Sequence, residues 1–169
     1  MNGRNKPNEK ICIIPGTFDP VTNGHLDIIM RAANLFNKIY VTVFINSAKK
    51  NMFSSEERYE MLKLACEDYI HAGLIIADVT DKLVADYAKT KGADFIAKGV
   101  RAATDYEYEY QIFLINREIG GNIETIFFPA KNEHIYISST FVREMIKYNR
   151  DISPYVPAKV CEYIKNIKN

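Results

Sequence analysis

Apolar positions change period repeatedly along the chain, and each change marks an element. Residues 11–14 form a continuous apolar run closed by Pro15 and Gly16, the pattern of a strand buried on both faces. Over 24–37 the apolar residues Leu26, Ile29, Met30, Ala33 and Phe36 recur at helical spacing, with Thr22 or Asn23 as the cap. Residues 39–45 are dense in β-branched and aromatic side chains and predict a second strand. A polar loop over 46–53 leads to Ser54 and Glu57, spaced as a capping box, and the helix behind them carries a seam of Met61, Leu62, Ala65, Cys66, Tyr69 and Ile70. A strand over 74–79, a short helix over 82–91 and a strand over 94–97 follow. The Tyr–Glu alternation of 106–110 fits a half-buried strand, but the stretch as far as Glu118 is better filled as a helix, which is the expectation adopted. A strand over 125–128 and helices over 139–148 and 157–167 complete the series.

Alternating strands and helices imply right-handed crossovers and a parallel sheet. The expected fold is α/β: a Rossmann-like, doubly wound, five-stranded parallel sheet with helices on both faces. Residues 1–9 are expected to be a flexible tail and 10–169 a single domain including the C-terminal helices. In such sheets ligands collect at the carboxyl ends of strands, near the point where strand order reverses. Four segments fall at strand ends: 15–25, 46–53, 98–101 and 130–140. One pocket can therefore gather them.

Composition narrows the class. The 169 residues carry 22 basic and 21 acidic side chains, a net charge of +1 that argues against a general polyanion binder and leaves room for local phosphate sites. No apolar run reaches the roughly 18 residues of a membrane span, and residues 1–9 lack the apolar core of a signal peptide. Cys12, Cys66 and Cys161 lie far apart in apolar surroundings with no metal-binding spacing, so they are expected to be reduced, packed thiols of a cytoplasmic protein. Neither a nucleic acid nor a membrane is an expected partner.

The chemistry-bearing residues sit in the four segments. In Pro15-Gly16-Thr17-Phe18-Asp19-Pro20-Val21-Thr22-Asn23-Gly24-His25, Gly16 admits close backbone approach, and Thr17 offers a hydroxyl and an amide. His25 falls in the first turn of a helix, where free amides and the positive dipole end favour a phosphate, and its imidazole can donate to a phosphoryl oxygen as charge builds there. Taken alone, His25 reads as an ordinary capping residue; the eleven-residue string directly after a strand reverses that. Lys49 and Lys50 on their own resemble a solvated surface pair. Lys98 and Arg101 flank Gly99 and Val100 after a strand and can enter the pocket. Ser138, Ser139 and Thr140 precede a helix and can hold phosphates, cap the helix, or do both. The tyrosines at 106, 108 and 110 read as packing, and His71 as structural.

These segments carry a resemblance. The Thr22-Asn23-Gly24-His25 string is similar to the (His/Thr)-x-Gly-His motif of the nucleotidyltransferases, shared more distantly with class I aminoacyl-tRNA synthetases. Within that group the chain most resembles the phosphopantetheine adenylyltransferases, from about Lys10 to about Tyr163. The likeness extends to residues 47–53, to Lys98-Gly99-Val100-Arg101-Ala102 with Asp105-Tyr106-Glu107-Tyr108-Glu109, and to Ile137-Ser138-Ser139-Thr140. The resemblance implies transfer of the adenylyl group of ATP to 4′-phosphopantetheine, giving 3′-dephospho-coenzyme A and pyrophosphate by direct in-line attack. It implies that His25 stabilises the transition state, with Thr17, Lys49 and Arg101 in catalytic roles. It assigns ATP contacts to Thr17, Phe18, His25, Gly99, Val100, Arg101 and Glu109, and to His134, Ile135, Tyr136, Ile137, Ser138, Ser139 and Thr140. Acceptor contacts fall to Thr17, Lys49, Val84 and Lys98. Lys98 stands where relatives often have an arginine, and His134 where they commonly have an aromatic. Magnesium is expected with ATP, without a protein-held metal site. Dephospho-coenzyme A and coenzyme A are expected as product or feedback ligands, and a homohexamer as the assembly. The competing readings are a related enzyme acting on nicotinamide mononucleotide or glycerol phosphate, and a non-catalytic nucleotide-binding module.

Overall fold

The computed structural model describes residues 9–46, 50–121 and 123–168. The elements run β1 (Ile11–Gly16), α1 (Asn23–Ala33), β2 (Lys38–Phe44), α2 (Ser55–His71), β3 (Ile75–Thr80), α3 (Val84–Lys91), β4 (Phe95–Val100), α4 (Ala103–Gly120), β5 (Glu124–Pro129), α5 (Ser139–Lys147) and α6 (Ala158–Lys168), with one 3₁₀ turn at Asn132–His134. The strands form one parallel sheet in the order β3-β2-β1-β4-β5. Stretch 106–118 belongs to α4. Residues 1–8 of the expected tail lie outside the described residues.

Alternation along β1 divides the core. Cys12 and Ile14 join a large cluster with Ile28 and Ile29 of α1, Met61 and Leu62 of α2, Val142 of α5 and Val160 of α6. Ile11 and Ile13 face the opposite way, against Ala85, Tyr87 and Ala88 of α3. A continuous apolar run is what a strand covered on both faces requires. Cys12, Cys66 and Cys161 are free and buried, and burial pushes the first two thiols up to about 12.

Pairing along the sheet is uneven in a way that creates a crevice. β1 pairs with β2 along its whole length, from Ile11 with Lys38 to Gly16 with Val43. It pairs with β4 only through Cys12 with Phe95 and Ile13 with Ile96. Beyond those residues β1 and β4 diverge toward their carboxyl ends. This is where strand order reverses, the position at which open α/β sheets bind ligands. No helix among the described residues is long and apolar enough to cross a membrane.

Candidate active site

The divergence of β1 and β4 opens into a cavity of about 500 Å³, floored by Ile14, Pro15 and Gly16 of β1 and by Ala97, Lys98 and Gly99 of β4. Its walls come from α1, the first half of α4 and the turn leading into α5. Close approach sets the floor: a Cβ on Gly16 would stand 2.7 Å from the Phe18 ring, and one on Gly99 would stand 3.1 Å from Ile28. Phe18 itself sits at φ 51, the left-handed region that side chains rarely occupy. Its ring meets the His25 imidazole edge-on, with centroids 5.2 Å apart.

The start of α1 fixes His25 chemically. The Thr22 hydroxyl accepts from the His25 amide at 3.3 Å, and the Thr22 amide donates to His25 Nδ1 at 3.1 Å. This is a capping box with histidine in the place usually held by Glu or Gln. Thr22 Oγ1 lies 3.0 Å from the same Nδ1. Because Nδ1 accepts a backbone N–H, the proton of the neutral ring resides on Nε2. Burial, reinforced by the positive charge of Arg101, pushes the imidazole down from 6.5 to about 4. The ring therefore remains a neutral donor at pH 7, in the cavity wall.

Asp19 holds the loops around this site. It is 2 % exposed, and its carboxylate accepts from the amides of Met52 at 3.0 Å and Phe53 at 2.9 Å. Arg143 of α5 donates to the Asp19 carbonyl at 2.7 Å and lies 3.4 Å from the carboxylate. Arg58 of α2, also 2 % exposed, donates to the Thr17 carbonyl at 2.8 Å and is drawn by the charge of Asp19. The sequence reading passed over Asp19, Arg58 and Arg143, since nothing local ties positions so far apart.

The structure brings most of the expected residues together. Thr17, Phe18, His25, Lys98, Gly99, Arg101, Glu109, His134, Ile137, Ser138, Ser139 and Thr140 all line the cavity. Both cations are paired there: Lys98 Nζ lies 3.1 Å from Glu109 Oε2, and Arg101 Nε donates to Asp105 at 2.8 Å. Ser138 caps α5 by accepting from the Phe141 amide at 3.0 Å, and the Ser139 hydroxyl donates to the Pro20 carbonyl at 2.8 Å. Thr140 Oγ1 accepts from Arg143 at 3.0 Å. The Ser139 hydroxyl thus ties α5 to the first motif, and with the Phe141 amide taken by Ser138 the amides of Ser139 and Thr140 are the groups left for an anion. His134 Nδ1 is buried without a hydrogen-bond partner, and Nε2 stands 3.7 Å from Glu133.

Some positions fall elsewhere. Val100 ends β4 opposite Pro129 and does not line the cavity. Neither do Ile135 and Tyr136, which are exposed, the Tyr136 ring lying edge-on to Tyr155. Val84 opens α3 and packs against the core on the other face of the sheet, away from the cavity lining. Lys49 lies outside the described residues. The tyrosines of α4 are only partly packed: Tyr106, Tyr108 and Tyr110 are all exposed, although the Tyr106 ring meets Phe127 edge-on at 5.2 Å and stacks on Tyr110 at 5.9 Å, and Tyr108 lines the cavity.

A cytidylyltransferase-like family model matches residues 13–145, most of the sheet and the whole cavity floor. Over 161 residues the chain is 43% identical to the phosphopantetheine adenylyltransferases of two strains of Streptococcus pneumoniae, covering 95% of this chain and 98% of theirs. The chain belongs to the phosphopantetheine adenylyltransferase family. Among solved structures, its fold is similar to that of a nicotinate-nucleotide adenylyltransferase, described as putative, from Vibrio parahaemolyticus (TM-score 0.70, 20% identity, 94% of this chain and 93% of that one). It is similar also to the nicotinic acid mononucleotide adenylyltransferase of Plasmodium falciparum complexed with APC (TM-score 0.71, 17% identity, 95% and 96% covered). At that identity the likeness speaks for the fold alone.

The His25 geometry generates a pH expectation. Its folded value of about 4 lies below the ordinary 6.5, so the unfolded chain binds more protons between these values. The stabilisation is complete above about pH 6.5 and is lost as pH falls toward 4. His25→Gln, which keeps a capping-box acceptor without a titrating ring, is expected to flatten the melting temperature over that window. Identical pH profiles for the two proteins would contradict this account of the ring.

Proposed function

We propose that this enzyme transfers the adenylyl group of ATP to 4′-phosphopantetheine, releasing pyrophosphate. The observation that carries the reading is the His25 ring, bonded at Nδ1 by the Thr22 amide in the α1 cap and set in a crevice lined by Lys98, Arg101 and the starts of two helices. An oxygen of the acceptor's phosphate attacks the α-phosphorus of ATP. A new P–O bond forms as the bond from the α-phosphorus to the bridging oxygen breaks, and that electron pair leaves on pyrophosphate. The acceptor phosphate is already ionised, so no general base is required. Catalysis comes from positioning and from donors aimed where charge develops. His25 Nε2–H donates to the α-phosphoryl oxygens. Arg101 and the first-turn amides of α5 hold the leaving pyrophosphate. Thr17 and Lys98 hold the acceptor's phosphate, and Lys49 serves the same phosphate in this reading.

Magnesium brought with ATP would supply charge neutralisation at the phosphates. Among the described residues no group of three or more His, Cys, Asp or Glu side chains could hold a metal ion. The cavity carboxylates Asp105 and Glu109 are engaged by Arg101 and Lys98. Residues 10–169 act as one nucleotidyltransferase domain in the cytoplasm. Dephospho-coenzyme A leaves as product, and coenzyme A competes for the same cavity.

The working assembly is a homohexamer. Tyr106, Tyr110, Leu114, Ile115 and Ile119 expose much of α4, whose sole buried residue among those described is Asn116. A large exposed apolar face marks an interaction surface, and a further copy of the chain covers it. Equilibrium sedimentation is expected to give six chain masses; a monomer at micromolar concentration would refute this.

Pyrophosphate release with each candidate acceptor tests the function. Turnover is expected with 4′-phosphopantetheine and not with nicotinamide mononucleotide or glycerol phosphate; the reverse preference would defeat the reading. In the same assay His25→Gln should lower kcat by on the order of a hundredfold, with a much smaller change in KM for ATP. Lys98→Ala should raise KM for 4′-phosphopantetheine by roughly tenfold to a hundredfold, the range for a charged hydrogen bond, and leave KM for ATP nearly unchanged. Equal effects of Lys98→Ala on both substrates would remove it from the acceptor site.

A further inference from the structure

α4 presents two carboxylates one turn apart to the end of β4, and they engage the two cavity cations differently. Glu109 meets Lys98, a point charge, at 3.1 Å. Asp105 grips Arg101 at three places: Oδ2 accepts from the Arg101 amide at 3.2 Å and from Nε at 2.8 Å, and Oδ1 accepts from Nη2 at 3.3 Å. A guanidinium has five N–H donors in a rigid planar fork. This grip takes the Nε edge and leaves the two hydrogens of Nη1 and one of Nη2. Arg101 and Asp105 both line the cavity, so the unoccupied edge serves a ligand there while the Asp105 bonds stay in place.

We infer that Asp105 is a positioning residue, one that holds Arg101 by one edge so that the other meets the phosphates of the nucleotide. The inference rests on the adenylyltransferase reading above. An arginine beyond a strand end has a long flexible stem, and ordering it is entropically costly at the moment of binding. Two guanidinium bonds to one carboxylate order it beforehand. The grip also locks side chain to backbone, because the same Oδ2 accepts from Nε and from the Arg101 amide. Asp105 sits in the first turn of α4, whose cap Ala102 offers no side-chain bond, so its charge also suits the positive end of that helix. A test must therefore separate positioning from helix stability.

A double-mutant cycle in the full-length enzyme does so. Asp105→Asn is nearly isosteric and removes the charge. Positioning errors near reacting groups cost up to about a hundredfold, and Asp105→Asn is expected to lower kcat for pyrophosphate release by roughly tenfold or more, with KM for ATP not raised. Placed in an Arg101→Ala background, the same change should alter kcat by less than about twofold, because coupled residues are non-additive. Losses that multiply in the double variant, or an Asp105→Asn enzyme with wild-type kcat, would overturn the inference. The Nε–H resonance of Arg101 supplies a readout without turnover. In the wild type it is expected to stay slow to exchange with saturating ATP, and in Asp105→Asn to exchange freely. Free exchange in the ATP-saturated wild type would mean that phosphates displace Asp105, again overturning it. No turnover of 4′-phosphopantetheine by the wild type would defeat the functional reading, while the resonance experiment still decides the role of Asp105.

Discussion

Two reciprocal hydrogen bonds between Thr22 and His25 set the chemistry of this protein. A helix start needs acceptors for its free amides, and here the acceptor for the Thr22 amide is an imidazole nitrogen. The bond that closes the cap therefore also chooses the tautomer. With Nδ1 committed to the backbone and burial opposing a positive charge, the ring enters the cavity as a neutral donor through Nε2. A group of this kind matches a reaction in which charge develops on phosphoryl oxygens, since it is in place before the reaction starts. The Thr-x-Gly-His motif thus closes the helix cap through Nδ1 and turns Nε2 of the same ring to the cavity.

The cavity around that histidine follows from how the sheet is paired. β1 and β4 share two residue pairs and then part, so the floor of the site is a gap in the sheet itself. Loops that border such a gap need anchoring, and Asp19 provides it. One buried carboxylate binds the amides before α2, while Arg143 reaches it from α5 and Arg58 fixes the neighbouring Thr17 carbonyl. Removing one member of a buried charged group is expensive because the partner is left uncompensated. The two cations of the cavity are handled in the opposite way. Lys98 and Arg101 are partly exposed and each lies against a carboxylate of α4, so positive charge is held in the crevice without repelling itself.

Much of this was legible in the sequence because the signals are local. Periodicity gave every strand and helix to within a few residues, and the full length of 106–118 correctly outweighed its Tyr–Glu alternation, since α4 lies along the sheet with one face open. The cap at Ser54 with Glu57 formed as its spacing implied. What local patterns do not carry are partners distant in sequence. Asp19 and Arg143 are separated by most of the chain, and no periodicity links them. The hydroxyls of Ser138 and Ser139 read as phosphate ligands, helix caps or both; which distant group each meets was not legible, and in the structure one caps α5 while the other ties it to Pro20. Val84 was assigned by resemblance, but packing on the far face of the sheet holds it away from the cavity lining. The tyrosines of α4 read as packing; Tyr106 does pack edge-on against Phe127, yet all three stay exposed and Tyr108 lines the cavity.

The central claim is that the helix cap makes His25 a neutral Nε2–H donor. The ¹⁵N shifts of the His25 ring in the free protein at pH 7 test it most directly. The account requires an unprotonated Nδ1 and a protonated Nε2, with no titration until the pH approaches about 4. A proton on Nδ1, or a charged ring at pH 7, would contradict it.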